Sequence, residues 1–408
     1  MKSIIFVESN TTGTGRMLAD AARIRGYSPK FFSANPDKYR FSNEFDFITV
    51  DTSSSEAIFR AAIDVLEGSE ISAVMSTSEY FVKEASILAS RLNLPALNDE
   101  RISICRNKYR LRRALQNRGM GEVRSYRIAA ASDLEAAAVE TGFPAVLKPI
   151  SGSGSSGVRL CSNLNELEAT YKEARSVSQS SRFDFDDGAY VLESYVGGEE
   201  FSVEIFNGEM MGITRKHLGE MPYFVETGHD FNCDINEDLR KAIDGEVNKL
   251  ISLLKINWGP LHVELKVHEG KVFVIEVNPR LAGGMIPFLV HATTGIDLIS
   301  AWLAAALGET PVLEKTKDRA GHIRFLIPSD NSNIKQSADG AYIEGIVSSS
   351  PEEISIESIS LYRGIGEEIF ICNDFRDRIG HVILTANKPV GNIASKIAQS
   401  ILERVIND

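Results

Sequence analysis

The stretch "GPLHVELKVHEGKVFVIEVNPRLAGG", residues 259–284, constrains the fold more than any other part of the chain. Two runs of alternating apolar and polar residues flank a short turn at Gly270, the pattern of a β-hairpin. With a three-residue loop centred on Gly270, Glu264 lies opposite Glu276 and Asn278 points the same way. A two-residue turn would change the parity and send the two carboxylates to opposite faces. Like charges opposed across a sheet destabilise it unless something positive sits between them. Two carboxylates and an amide oxygen make a hard-oxygen set suited to Mg²⁺, with Mn²⁺ as an alternative. Pro279, Arg280, Gly283 and Gly284 follow, so a guanidinium and backbone N–H groups stand just beyond that set. Such donors hold a transferring phosphoryl group or a developing oxyanion. A solvated hairpin face with scattered acids is the alternative, and this continuation weighs against it.

A second motif, "GFPAVLKPISGSGSSGV", delivers Lys148 on a short apolar strand and continues into Ser151, Gly152, Ser153, Gly154, Ser155, Ser156 and Gly157. Successive N–H groups of such a loop can cradle phosphate oxygens while the lysine supplies a point charge. The spacing is not that of a P-loop, whose lysine follows the glycines at a helix start. A flexible Gly/Ser linker is the alternative, and the lysine on the preceding strand favours a lid over phosphates. In "YVLESYVGGEEFSVEIF" a β-run ends near Glu193, turns at Gly197 and Gly198, and resumes through Glu200 and Glu204. A strand-to-hinge segment can offer backbone groups of Tyr195 and Val196 to an adenine edge, with carboxylates for the amine and ribose hydroxyls. A plain hairpin with exposed acids fits the same letters.

The first 105 residues alternate short apolar runs ("SIIFVES", "FDFITVD", "ISAVMSTSEY") with amphipathic helical segments, which predicts a parallel sheet covered by helices. Ligands of such sheets sit at the carboxyl ends of the strands, so the loops from Glu8 to Thr14 and from Ser76 to Tyr80 are expected to face a site. Gly13 and Gly15 begin a dinucleotide-type glycine pattern, but Leu18 stands where the third glycine belongs. An ordinary strand-to-helix turn explains the loop better. Arg16 could reach a substrate carboxylate, although a helix-surface arginine is the reading favoured over it. "EARSVSQSSRFDFDDG" reads as a mobile surface insertion, and the last hundred residues as a smaller α+β domain with no catalytic cluster.

A chain of 408 residues suggests about three domains. The formal net charge of −12 works against nucleic acid as a partner. Four dispersed cysteines without CxxC spacing suggest neither a zinc site nor a disulfide framework, and a reducing cytoplasm fits them. No run approaches the ~18 apolar residues of a membrane span, so no membrane partner is expected.

In this order, phosphate lysine and lid, adenine hinge, then metal hairpin, the motifs resemble the ATP-grasp superfamily over about residues 100–310. The resemblance implies α/β and α+β multidomain architecture. Residues 1–105 would form a parallel α/β domain and 106–310 the ATP-grasp domain, with a lid subdomain at about 125–193 and a C-terminal α+β part at 311–408. It implies that Lys108 in "RNKYRLRRAL" and Lys148 contact ATP phosphates beneath a lid of residues 151–157. Glu193, Tyr195 and Val196 would meet adenine, Glu200 the ribose, and Glu264, Glu276 and Asn278 the Mg²⁺, with Arg280 acting in the reaction. "YFVETGHDFN" with "EVNPRLAGG" looks most like L-amino acid ligases of natural-product pathways, making Glu226 and His229 substrate-pocket residues beside Arg280, Gly283 and Gly284. A core or surface histidine is the other reading of His229. The implied partners are a small carboxylate and a small amine, with a homodimer as an allowed assembly. Other grasp enzymes (biotin carboxylase-like or purine-pathway) and a non-catalytic ATP-binding protein are the alternatives.

Overall fold

The computed structural model describes the chain except for Met1, Thr12, Gly121, Ser153, Cys233, Asn407, Asp408 and residues 179–187, 338–346 and 348–352. The N-terminal domain contains β1 (Lys2–Val7), α1 (Thr14–Ile24), β2 (Ser28–Ser33), β3 (Asp46–Thr49), α2 (Ser55–Leu66), β4 (Glu70–Met75) and α3 (Val82–Arg91). Its sheet is parallel throughout, in the order β3-β2-β1-β4. Period-two alternation explains its layers: Ile4 and Phe6 pack with α1, while Ile5 and Val7 pack with α2 and α3. Strand β2 escaped the pattern reading because Pro29 and Lys30 interrupt its apolar run. At the end of β1, Glu8 is buried and accepts from the hydroxyls of Ser33, Tyr39 and Thr52. That side chain locks the strand end and does not face a site, which corrects one edge of the expected rim. Arg16 pairs with Glu44 at 2.7 Å on the surface, as a helix-surface arginine does.

Helices α4 (Asp99–Arg106) and α5 (Lys108–Gln116) lead into a small antiparallel sheet. It contains β5 (Ser125–Ile128), α6 (Leu134–Thr141), β6 (Ala145–Pro149), β7 (Arg159–Cys161), α7 (Leu164–Ser178) and β8 (Tyr190–Ser194), with strand order β5-β8-β6-β7. The core of the Ser- and Asp-rich insertion falls within residues 179–187, outside the described residues.

The chain then enters a larger sheet through β9 (Glu199–Phe206), β10 (Glu209–Leu218), β11 (Glu226–Phe231), α8 (Glu237–Leu254), β12 (Pro260–His268) and β13 (Lys271–Asn278). Because β8 and β9 belong to different sheets, the Gly197–Gly198 segment is a hinge and not a hairpin turn. Helices α9 (Ile286–Thr294) and α10 (Leu298–Ala306) follow, both largely buried. They pass a length-and-composition test for a membrane span only as a pair bent by 108°; among the described residues no single helix is long and apolar enough. Then come β14 (Ala320–Leu326), β15 (Ser332–Asn333), β16 (Ile354–Leu361), β17 (Glu368–Ile369), β18 (Gly380–Ala386) and a C-terminal helix (Gly391–Ile406). The eight-stranded order is β13-β12-β9-β10-β11-β14-β18-β16. The expected boundary near residue 311 therefore marks no break in hydrogen bonding: the C-terminal strands extend the central sheet. Asp230 reinforces that join, accepting from His217, His322 and Arg324 at 2.6–2.7 Å.

The hairpin reaches its expected pairing by a different route. Its turn has two residues, Glu269 and Gly270, both left-handed (φ 49° and 75°), with His268 opposite Lys271. A bulge then places an extra residue, Ile275, on β13, and the register returns to Glu264 opposite Glu276 and His262 opposite Asn278. Turn and bulge each shift the parity once, so the two carboxylates share a face.

Gly198 holds the hinge against that hairpin. It has φ 82°, and a Cβ there would lie 1.9 Å from the Val267 carbonyl oxygen, which belongs to β12 and cannot move cheaply. Gly198→Ala is therefore expected to destabilise the protein by about 2 kcal/mol or more. Thermal unfolding measures this, and a midpoint unchanged from the wild type would contradict it.

Candidate active site

The face of the central sheet turned to the small sheet is polar because of simple alternation. Phe201, Val203 and Ile205 of β9 and Leu261, Val263 and Leu265 of β12 pack in one apolar core with α8 and α5. Their neighbours Glu200, Ser202 and Glu204, and His262, Glu264 and Lys266, necessarily point the other way. Register adds cross-strand order: Lys266 lies opposite Glu200, Glu200 opposite Lys216, and Lys216 opposite His229. One rung thus alternates charge across three strands and ends on His229 in the fourth.

Lys216 is the centre of this face. Its ammonium, buried at 1% side-chain exposure, meets Glu226 at 2.5 Å, Glu264 at 2.7 Å and Glu200 at 3.3 Å. Beside it His262 bridges Glu204 (2.9 Å) and Glu264 (3.4 Å). Burial works against the imidazolium, but Glu204 and Glu264 overcome it and raise His262 to about 9. Burial would raise Glu264, and Lys216 and His262 pull it well below the usual carboxylate range.

A second ion cluster anchors the small sheet. Arg112 and Lys108, four residues apart on α5, are both buried. Arg112 meets Glu193 at 2.6 Å and also donates to the Val274 and Ile275 carbonyls, tying helix, hinge strand and hairpin together. Lys148 meets the same carboxylate at 2.8 Å. Burial pushes Glu193 up, and Arg112 and Lys148 more than reverse this, to about 2. The triad keeps one net positive charge at the cleft wall.

Two cavities open from this face. The first lies between the sheets and is lined by Val146, Lys148, Tyr195, Val196, Lys266 and Ile275 among others. Of the expected lid residues Gly152, Gly154, Ser155 and Ser156 line it, Ser151 and Gly157 flank them, and Ser153 lies outside the described residues. The loop is tied down by Ser155 Oγ donating to the Phe224 carbonyl (2.7 Å) and Lys108 Nζ donating to Gly152 O (3.1 Å). The expected adenine contact needs one correction: the Tyr195 N–H already donates to Pro144 O at 3.0 Å, so only that residue's carbonyl can serve. Glu193 lines the cleft with its carboxylate already committed to Arg112 and Lys148, and Glu200 with its own committed to Lys216 and Lys266.

The second cavity, about 500 Å³, is bounded by the N-terminal rim (Ser9, Asn10, Thr11, Ser78), by Gly283 and Gly284, and by Phe325, Tyr362 and Arg378 from the C-terminal part. The rim expected from the parallel sheet is thus in place. Arg280, on the loop after β13, meets Glu79 at 2.6 Å. Gly283 and Gly284 donate neither backbone N–H to another described group. A Cβ on Gly284 would come within 2.7 Å of His229 Nε2, so only glycine lets the loop pass. His229 is 1% exposed, finds no hydrogen-bond partner on either ring nitrogen among the described residues, and is lowered by burial to about 3. Glu226 lies 3.8 Å from it and is held by Lys216 and Arg378.

The two cavities share one wall, made by Glu79, Lys216, Glu226, Glu264, Arg280 and the lid residue Gly154. Of the expected metal set Glu264 lies in that wall, and Glu276 and Asn278 line the first cavity. Lys216 and His262 both engage Oε1 of Glu264, and Lys108 engages Oε2 of Glu276 at 3.4 Å, so each carboxylate keeps its other oxygen outside these pairs. Burial raises Glu276, Lys108 pulls against it, and Glu79 and Glu264 add to the rise, the sign of a site with room for more positive charge. Asn278 satisfies its surroundings with its Nδ2 directed to Glu79 at 3.2 Å. Among the described residues no group of three His, Cys, Asp or Glu forms a metal cage by itself. Mg²⁺ is usually held by one or two carboxylates plus substrate phosphates, so the donor set fits.

Comparison with known proteins gives the family. Residues 141–287 match the model of the ATP-grasp domain. The uncharacterized protein y4rH of Sinorhizobium fredii is 32% identical over 99% of this chain and 82% of its own. This chain belongs to the ATP-grasp superfamily. Dapdiamide A synthase of Enterobacter agglomerans is 25% identical over 74% of this chain and 75% of its own. Among solved structures, the L-amino acid ligase of Bacillus licheniformis superposes with a TM-score of 0.81 at 22% identity, covering 100% of this chain and 98% of that one.

Within this ATP-grasp protein several site residues carry no local sequence signal. Lys216, Lys266 and Arg112 read as solvated charges in their own segments, and only strand register and helix phase bring them inward. The last hundred residues showed no catalytic cluster as a sequence, and from them Arg378, Phe325 and Tyr362 line the second cavity. Glu79 was within a loop expected to face it, without a role.

The His262 pair yields a pH dependence. Its folded value of about 9 exceeds the ordinary 6.5, so its stabilisation is complete below about 6.5 and is lost as pH rises through about 9. The stability gap between wild type and His262→Gln should shrink between pH 7 and pH 9.5 in denaturant melts. An equal gap at both pH values would contradict a charged His262.

Proposed function

We propose that the chain is an ATP- and Mg²⁺-dependent carboxylate–amine ligase that joins two amino acids through an acyl phosphate, releasing ADP and phosphate. The observation that carries this reading is the shared wall: a nucleotide cleft and a separate cavity for small molecules meet at Arg280, Glu264 and Lys216. The likeness to an L-amino acid ligase over the whole chain supports amino acids as substrates.

Lys108 and the Lys148–Glu193–Arg112 triad would receive the phosphates under the lid, with Tyr195 O, Val196 and Glu200 toward the adenosine. Mg²⁺ on Glu264, Glu276 and Asn278 would neutralise phosphate charge. Phosphoryl transfer to a carboxylate brings two anions together, so the fixed cations must offset their repulsion. A substrate carboxylate oxygen attacks the γ-phosphorus and ADP leaves. The amine then adds to the acyl carbon and phosphate departs. Arg280 and the Gly283 and Gly284 N–H groups would hold the oxyanion of that addition. Neutral His229 beside Glu226 would contact the amino-acid substrate in the same cavity. The tied-down lid keeps water from the acyl phosphate.

A matrix of amino-acid pairs, scored for ADP release and for product by mass spectrometry, tests this reading. At least one pair should stimulate ADP release and yield a dipeptide. Glu276→Gln should lower that rate by more than about 100-fold with an unchanged melting profile, since it removes a metal ligand and no core packing. No stimulation by any pair, or full turnover by Glu276→Gln, would contradict it.

A further inference from the structure

One mouth of the second cavity has the opposite sign to the molecule as a whole. The chain carries a formal net charge of −12. Yet all the charged residues lining a side pocket of about 260 Å³ are cations: Lys38, Arg40, Arg363 and Arg378. Thr11, Tyr362 and Arg378 line both this pocket and the main cavity, so the two adjoin. The cations come from both ends of the chain, two from the N-terminal domain and two from the C-terminal part.

Their partners separate them into two pairs. Lys38 meets Glu8 at 2.9 Å and Arg378 meets Glu226 at 2.6 Å, so these two are already compensated. Arg40 and Arg363 have no carboxylate partner among the described residues, and Arg363 donates to the Arg376 carbonyl at 3.4 Å. Converging cations repel, and an anion between them relieves that repulsion. The floor is firmly built: Arg378 lies 4.0 Å over the Phe325 ring, and the Tyr362 hydroxyl is 2.7 Å from His381 Nδ1. Burial lowers His381 to about 4, so it stays neutral at working pH and adds no charge to this floor.

We propose that this pocket selects an amino acid bearing a second carboxylate. Arg363 and Arg40 take the acidic side chain, Tyr362 and Arg378 form the floor, and the reacting end of the same molecule stays in the main cavity. This deepens the ligase reading, on which it rests, by naming the class of one substrate. A cationic side chain is rejected by the same charges, and a neutral isostere loses the paired hydrogen bonds.

Calorimetric binding of L-glutamate and L-aspartate to the full chain, compared with L-glutamine and L-asparagine, tests this. Each acid should bind at least about 10-fold more tightly than its amide. Arg363→Ala and Arg40→Ala should each weaken acid binding by about 10-fold and change amide binding by less than about twofold, with Arg363→Lys keeping only part of the preference because it retains the charge and loses the paired geometry. Arg40 is exposed, so its variant keeps the test open if Arg363→Ala fails to fold. Equal affinity for acid and amide, or an acid preference that survives both substitutions, overturns the assignment. Because binding is read and not turnover, acid binding without ADP release from any amino-acid pair would uphold the pocket and sink the ligase reading. ADP release by neutral pairs, with no acid preference in binding, would do the reverse.

Discussion

The buried ammonium of Lys216 is the interaction on which the rest of the cleft depends. It draws Glu200, Glu226 and Glu264 from three neighbouring strands toward one point. Three carboxylates so close would otherwise repel, protonate or turn away. Removing the lysine would leave buried charges without compensation, at a cost of about 3–5 kcal/mol for a single broken pair. Arg112 does the same for the small sheet, where Glu193 joins helix, hinge strand and lid lysine. Charges fixed in this way are oriented before any ligand arrives, which is the condition under which electrostatics accelerates a reaction.

That network also explains why a cleft this polar can be buried at all. One face of the central sheet packs on α5 and α8, and the opposite face is left for charged side chains paired strand to strand. The small sheet covers this face through a hinge at Gly198, and the C-terminal strands extend it far enough to bring Phe325 and Arg378 to the second cavity. Fold and site are therefore one construction: the cavities are the two ends of a single charged sheet surface.

Much of this was legible in the chain and some was not. Local patterns identified the hairpin, the strand that carries Lys148, the Gly/Ser loop after it and the hinge, because each is specified within about 20 residues. The carboxylate pairing came out as expected although the turn has two residues, since the bulge at Ile275 compensates and bulges leave no mark in alternation. Lys216 was missed because "TRKHL" reads as a solvated strand, and its partners lie 10 to 48 residues away. Arg378 meets Glu226 across 152 residues, a juxtaposition that only the joined sheet creates. Long-range register, not local propensity, places these groups.

The proposed reaction phosphorylates a carboxylate across the wall shared by the two cavities. Isotope tracing follows that step most directly. A substrate labelled with ¹⁸O in its carboxylate loses one labelled oxygen to the phosphate released if an acyl phosphate forms, and keeps the other in the new amide. Mass spectrometry should find one ¹⁸O in each phosphate for each amide bond made. Amide formation with unlabelled phosphate would contradict the acyl-phosphate route and the role assigned to the shared wall.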